Sequence, residues 1–261
     1  MNSEAASSPA SPPGSNAAAA QCRVDVQRQL ETQRQLDTQG YLIRPGLLTE
    51  RETRVLARLL SPVLGGAGQR EMLRRPWAAA LAARVRRRLV ASRLLAADAL
   101  AVQCTLFDKT PARNWLVAWH QDLSVPVAGF TPDRAWRGWS TKQGVRFVQP
   151  PASWLARLLA VRLHIDPCEA RRGPLRVLPA SHRHGRLALD GADSPAQMQL
   201  LRQRHGEATC TADAGDALLM RPLIVHASSR MAVGEANRRR VLHLVFAPPT
   251  LPGGLQWHTA A

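Results

Sequence analysis

Val161-Arg-Leu-His-Ile165 and Val241-Leu-His-Leu-Val245 both read with a period of two, the spacing at which side chains share one face of a β-strand. Outward from them, short runs rich in Val, Leu, Trp and Phe recur over 99–107, 114–119, 144–148, 159–165, 175–178, 217–220 and 240–246, with Pro, Gly, Asp and Ser between them. Several short strands at such spacing predict a β-sandwich or barrel. Upstream the pattern is helical. Residues 22–39 are polar, with Val26, Leu30 and Leu36 as the apolar positions of a short helix, and 41–45 reads as a strand stopped by Pro45. Thr49, followed three residues later by Glu52, has the form of a capping box, and Val55, Leu56, Leu59 and Leu60 make the apolar stripe behind it. A further helix starts near Pro76-Trp77 and runs through Leu81, Val85 and Leu89, with Arg84, Arg86, Arg87 and Arg88 expected on its solvated side. Helices first and strands after make an α+β chain around a jelly-roll core.

At 261 residues and 45% hydrophobic composition the chain can bury one substantial core. Residues 1–20, mostly Ala, Ser, Pro and Asn, are expected to be a disordered tail, and 21–261 one domain. The formal charge is +16; lysine occurs only at Lys109 and Lys142, so 33 of the 35 basic residues are arginine. The arginines are spread along the chain instead of forming a block, which favours an anionic small molecule over a nucleic acid as the partner of this charge. Cys22, Cys104, Cys168 and Cys210 are too scattered for a disulfide framework and read as thiols of a reducing compartment. No apolar run reaches the roughly 18 residues of a membrane span. A cytoplasmic protein without membrane attachment is the expectation.

Trp119-His-Gln-Asp122 carries the chemistry. On an extended segment His120 and Asp122 point to the same side and can reach one ion. Two histidines and one carboxylate on one face of a metal suit Fe(II) and leave three coordination positions open, as O2 and a bidentate co-substrate require. Of the eight histidines, His226 is the best third ligand: it ends the apolar run Leu223-Ile-Val-His226, and 106 residues of separation leave room for intervening strands. His243 reads as a core or supporting residue, His164 could line a pocket, and His182 and His184 sit in a turn-rich basic stretch that looks exposed. Arg238-Arg-Arg240 opens the last strand, where a guanidinium could take the far carboxylate of 2-oxoglutarate in two parallel bonds.

With Gly40-Tyr-Leu-Ile-Arg-Pro-Gly46, Phe107-Asp-Lys-Thr110, Asn114-Trp115, the His120-Gln-Asp122 segment, Gly173-Pro-Leu-Arg-Val-Leu-Pro-Ala-Ser-His182, His226-Ala-Ser228 and Arg238-Arg-Arg-Val-Leu-His243 in this order, the chain resembles the phytanoyl-CoA dioxygenase family over about residues 40 to 256. The resemblance implies a double-stranded β-helix, cupin-like, with flanking helices. It also implies an Fe(II)- and 2-oxoglutarate-dependent dioxygenase that hydroxylates a small organic or acyl substrate with O2 and releases succinate and CO2. It puts the metal on His120, Asp122 and His226, the co-substrate carboxylate on Arg239, and Gln103 and Ser228 beside the co-substrate. By alternation Arg239 points opposite to Arg238 and Arg240. Halogenating relatives carry a small residue in place of the carboxylate, so Asp122 argues for hydroxylation or a related oxidation. Two departures stand out: Ala180 replaces a glycine before Ser181-His182, and the segment between His226 and Arg239 is about two residues longer. Trp115, Trp119 and Phe107 are candidate pocket walls, although aromatics at strand spacing more often belong to the core, and 125–144, with Trp136 and Trp139, is a candidate lid or surface loop setting specificity. The competing reading is a non-catalytic jelly-roll protein that binds a metal or ligand.

Overall fold

The computed structural model describes residues 14–61, 68–189, 194–232, 234 and 238–261. The expected tail over 1–20 lies mainly outside these residues, and its end, from Gly14, is already helix. Helix α1 (Gly14–Gln39) is longer than the short helix foreseen over 22–39. Strand β1 (Tyr41–Arg44) follows, and then α2 (Glu50–Leu59), capped as expected: the Thr49 side chain accepts from the Glu52 N–H, and Glu52 reaches back to the Thr49 N–H. Strand β2 (Gly68–Gln69), α3 (Pro76–Ala91) and β3 (Leu100–Lys109) lead to β4 (Val117–His120). Next come β5 (Val125–Ala128), β6 (Arg137–Lys142), β7 (Val145–Gln149), the single turn α4 (Ala152–Leu155), β8 (Leu159–His164) and β9 (Leu175–Val177). Helix α5 (Ser194–His205), β10 (Ala208–Cys210), β11 (Ala217–Met220), β12 (His226–Ser228), β13 (Arg239–Ala247) and β14 (Gln256–Trp257) complete the chain.

The described strands form a major sheet ordered β1-β11-β8-β13-β3-β2, a minor sheet ordered β10-β9-β12-β4, and a third ordered β14-β5-β7-β6. Pairing is antiparallel throughout. The expected α+β jelly roll with flanking helices is what the chain forms. Alternation sorts the central strand of the major sheet. Leu242, Leu244 and Phe246 of β13 join Leu106 of β3 and Leu163 of β8 in one apolar cluster with Leu56 of α2 and Leu81, Val85 and Leu89 of α3. The opposite face carries Arg239, Val241, His243 and Val245, directly across from Lys109, Phe107, Thr105 and Gln103 of β3. One face therefore holds the helices on, and the other is left to build a site.

The arginines of α3 are not simply solvated. Arg88 makes paired bonds to Glu52 at 2.9 Å each, Arg84 reaches the same carboxylate at 2.6 Å, and Arg86 donates to the Ala97 and Ala99 carbonyls. Only Arg87 among the four has no such partner in the described residues and stays exposed. The 125–144 stretch is not one continuous loop: β5 and β6 of the third sheet flank a connection over 129–136. Lys142 and Val145 pair across Gln143-Gly144, whose φ of 52° and 80° make the two-residue turn that matches strand twist. Cys104, Cys168 and Cys210 are buried free thiols, and no described helix is long and apolar enough to cross a membrane.

Candidate active site

In the minor sheet β4 and β12 run antiparallel with His120 opposite His226. Two residues beyond His120, the Asp122 N–H donates to the Pro222 carbonyl at 2.9 Å, which holds the carboxylate next to both imidazoles. His120 Nε2 lies 3.8 Å from Asp122 Oδ1 and His226 Nε2 3.7 Å from Oδ2; one ligand atom from each residue falls within 4.8 Å of the others. The hydrogen bonds fix which ring nitrogen is free. His120 Nδ1 meets the Ala118 carbonyl at 2.8 Å and His226 Nδ1 the Ile224 carbonyl at 2.9 Å. A carbonyl only accepts, so both Nδ1 atoms carry hydrogen and both Nε2 atoms present lone pairs. Burial, then the neighbouring His120, drives His226 down to about 3, so it is neutral at ordinary pH. Burial pushes Asp122 up, but His226, His243, His120 and Arg162 outweigh it and hold the carboxylate at about 2. Two imidazole lone pairs and a carboxylate thus aim at one point without a proton to share. Such a donor set fits a divalent metal.

His243 also faces this carboxylate, with Nε2 at 3.8 Å from Asp122 Oδ2, but its chemistry differs. Arg162 Nη1 lies 3.3 Å from His243 Nδ1, and since a guanidinium only donates, that nitrogen accepts. Nε2 then bears the hydrogen and turns it toward Asp122. The expectation that His243 supports the site instead of ligating fits this arrangement.

A cavity of about 390 Å³ opens beside the three ligands. Its lining includes His120, Asp122 and His226, and also Arg239, Ser228 and Gln103, so all six residues singled out in the sequence come together around one space. Arg239 is 2% exposed and donates to the Gly173 carbonyl, while its Nε has no partner among the described residues. Alternation holds: Arg238 pairs with Asp108 (2.6 and 2.9 Å) and Arg240 with Asp166 (2.7 and 2.8 Å), both away from the cavity. Ser228 Oγ donates to Gly173 O and accepts from Lys109 Nζ, each at 3.1 Å. Gly173 has φ 63°, and a side chain there would collide with the Ser229 carbonyl, which explains the glycine that starts that motif. Gln103 donates to Thr105 Oγ1 at 3.4 Å.

Several residues went unforeseen. Lys109 is fully buried behind Arg239, and burial, then the Arg239 charge, lowers it to about 7. Arg162, 8% exposed, is lowered to about 10 by burial and by Arg239; its cation rests on the Phe107 ring 5.4 Å away. Gln121, between the two ligands, donates to the Gly185 and Leu223 carbonyls at 2.7 Å and accepts from Leu187 N at 2.8 Å, tying β4 to its surroundings. A second His-x-Asp, His164-Ile-Asp166, does not converge: both ring nitrogens of buried His164 lack partners, whereas Asp166 is taken by Arg240. His182, expected to be exposed, is half-buried and bonded to the Asp37 carbonyl at 3.1 Å. Of the aromatics, Trp115 and Phe107 line the cavity, but Trp119 does not. Adjacent to His120, it points to the other face and carries Arg176 at 5.1 Å and Arg202 at 5.9 Å from its ring centre.

The fold has solved counterparts. The epimerase SnoN from nogalamycin biosynthesis, crystallised with Fe3+, alpha ketoglutarate and nogalamycin RO, superposes with TM-score 0.62 at 18% identity, over 87% of this chain and 88% of its own. EctD from S. alaskensis, solved with 2-oxoglutarate and 5-hydroxyectoine, gives 0.62 at 21% identity over 83% and 75%. HygX from Streptomyces hygroscopicus, with nickel and 2-oxoglutarate, gives 0.56 at 16% identity over 87% and 88%. No curated protein matches by sequence. The family profile described as phytanoyl-CoA dioxygenase (PhyH) matches residues 36–239, most of the chain. With that match and the jelly-roll fold, this chain belongs to the phytanoyl-CoA dioxygenase family.

Proposed function

We propose that the protein is an Fe(II)- and 2-oxoglutarate-dependent dioxygenase that hydroxylates a small organic substrate, and that 21–261 forms its one catalytic domain. The observation that carries this is the convergence of two Nε2 lone pairs and the Asp122 carboxylate, with each Nδ1 hydrogen committed to a carbonyl. When bound, iron and 2-oxoglutarate supply oxidation of a C–H bond by O2, with release of succinate and CO2. His120, Asp122 and His226 hold the metal. Arg239, with one donor unused at the cavity wall and Lys109 behind it, takes the far carboxylate of the co-substrate, and Ser228 donates or accepts beside it. Gln103 faces the co-substrate from β3, and Phe107 and Trp115 keep water from this end. Arg162 and His243, on the same cavity wall, fix the orientation of Asp122. With a carboxylate in the third ligand position there is no place for a halide, and hydroxylation is the favoured outcome.

Anaerobic addition of Fe(II) and then 2-oxoglutarate should produce a visible metal-to-ligand charge-transfer band. His120→Ala should abolish both the band and 2-oxoglutarate turnover. A wild-type protein that binds the co-substrate without such a band, or a His120→Ala protein that keeps it, defeats the assignment and favours a non-catalytic jelly-roll binding protein.

A further inference from the structure

The cavity has more positive charge than its proposed occupants use. Four cationic side chains line it, Arg70, Lys142, Arg162 and Arg239, against a single carboxylate, Asp122. A divalent metal and dianionic 2-oxoglutarate cancel each other, so four cations less one carboxylate still leave three positive charges once both are bound. Arg162 and Arg239 are the buried pair; Arg70 and Lys142 are half-buried on the outer part of the lining. Neither of this outer pair has an ion-pair partner among the described residues.

The outer pair is built, not incidental. Arg70 follows β2 and Lys142 ends β6, 72 residues apart in sequence. The Gln143 side chain joins them: its Oε1 accepts from the Arg70 N–H and its Nε2 donates to the Gly68 carbonyl, both at 3.0 Å. Gln143 can do this because it sits in the left-handed region, φ 52°, at the β6–β7 turn. The clamp brings two like charges to one rim of the cavity; burial and then the Arg70 charge lower the Lys142 ammonium, and the Asp122 carboxylate only partly offsets them. Phe147, under the Lys142 ammonium at 5.0 Å, supplies an apolar floor next to the pair. Holding two like charges together in a partly desolvated wall is unfavourable unless an anion binds between them.

We propose that the primary substrate is an organic anion whose carboxylate or phosphate group is bound by Arg70 and Lys142, with its apolar part directed past Phe147 toward the metal centre. This rests on the oxygenase reading above and adds the class of substrate to it. The third sheet thereby becomes the element that sets specificity, through Lys142 on β6 and Phe147 on β7.

The test uses the intact protein at fixed ionic strength with saturating Fe(II) and 2-oxoglutarate under argon. Benzoate, phenyl phosphate and uncharged benzamide are titrated as probes, read by perturbation of the charge-transfer band and by thermal shift. The two anions should bind, at least one of them about tenfold or more tightly than benzamide, and the tighter of the two identifies the group recognised. Arg70→Gln with Lys142→Gln should weaken the preferred anion about tenfold, while the charge-transfer band still forms and reports a folded protein. Benzamide binding as well as the anions, no anion binding to the wild type, or unaltered anion affinity in the double variant would each overturn the proposal. The thermal-shift titration is repeated on metal-free protein. Loss of the band alone therefore counts against the oxygenase reading, and loss of anion selectivity alone against this one.

Discussion

At the scale of single residues, Ala180 shows how a departure from a family pattern becomes physical. It occupies φ 62°, ψ 0°, immediately before the turn Ser181–His184, a conformation that costs a side-chain-bearing residue about 1 kcal/mol or more. The Ala180 N–H is meanwhile committed to the Gln39 carbonyl at 2.8 Å, so the backbone cannot relax. Ala180→Gly should stabilise the protein by about 0.5 kcal/mol, part of the relief being offset by the greater freedom of glycine in the unfolded chain. Equilibrium denaturation would show it as a raised midpoint with unchanged slope, and a lowered midpoint would mean that the strain is not relieved. Of the candidate site only the His120–Asp122 pair has a local signal; His226 is a choice among eight histidines, and Arg239, Gln103 and Ser228 come from the family resemblance. His120 ends β4 and Asp122 lies two residues on, whereas for Arg239 alternation only turns it away from Arg238 and Arg240. Arg162 and Lys109 were not legible, since a charged residue inside an apolar strand reads the same whether it faces a cavity or a salt bridge. Trp119, a candidate for pocket wall or core, packs against a buried cluster, because adjacent residues on a strand face opposite ways and His120 takes the cavity side.

At the scale of elements, the Thr49–Glu52 capping box was visible as a four-residue pattern, but the second task of Glu52 was not. Arg88 and Arg84 come from α3, more than thirty residues later, so the joint between the two helices exists only in three dimensions. Burial raises this carboxyl, yet Arg88, the Thr49 backbone and Arg84 together bring it down to about 2. A depressed carboxylate contributes stability that is complete above its unfolded value near 4.5 and is lost as pH falls from there toward 2. Glu52→Gln should therefore cost about 1–2 kcal/mol at pH 7, from the weakened cap and the lost ion pairs. The gap to wild type should narrow steadily below about pH 4.5 in urea titrations, and a gap independent of pH would count against the helix-joining role. Among the strands that escaped sequence reading, β2, β10 and β14 have two or three residues each, too few to establish a period. β5 and β6 were read as a loop because the Gln143-Gly144 turn lacks the Asn-Gly or Asp-Gly dipeptide that usually marks a two-residue hairpin.

For the molecule as a whole, the proposed ligands come from different layers. The metal residues belong to or follow strands of the minor sheet, whereas Arg239 and Gln103 stand on the major one. Metal alone should stabilise one layer, and 2-oxoglutarate should bridge the two. Nickel with 2-oxoglutarate should raise the melting temperature beyond nickel alone, by linkage about 2.7 kcal/mol when the co-substrate is at a hundred times its dissociation constant. Arg239→Ala should erase the second increment and spare the first. An undiminished second increment in that variant would remove Arg239 from the co-substrate site.

The position of β4 has its own consequence. It is the outermost strand of its sheet, hydrogen-bonded along one side to β12, and it carries His120 and leads directly into Asp122. Two of the three proposed metal bonds therefore hang on a border strand that, beyond β12, is pinned at its far end by the Gln121 side chain and the Asp122 N–H. The rate at which an ion comes and goes would then be governed by the peeling of four residues and the release of those pins, and an occupied centre would act as the stitch that keeps that border sewn down.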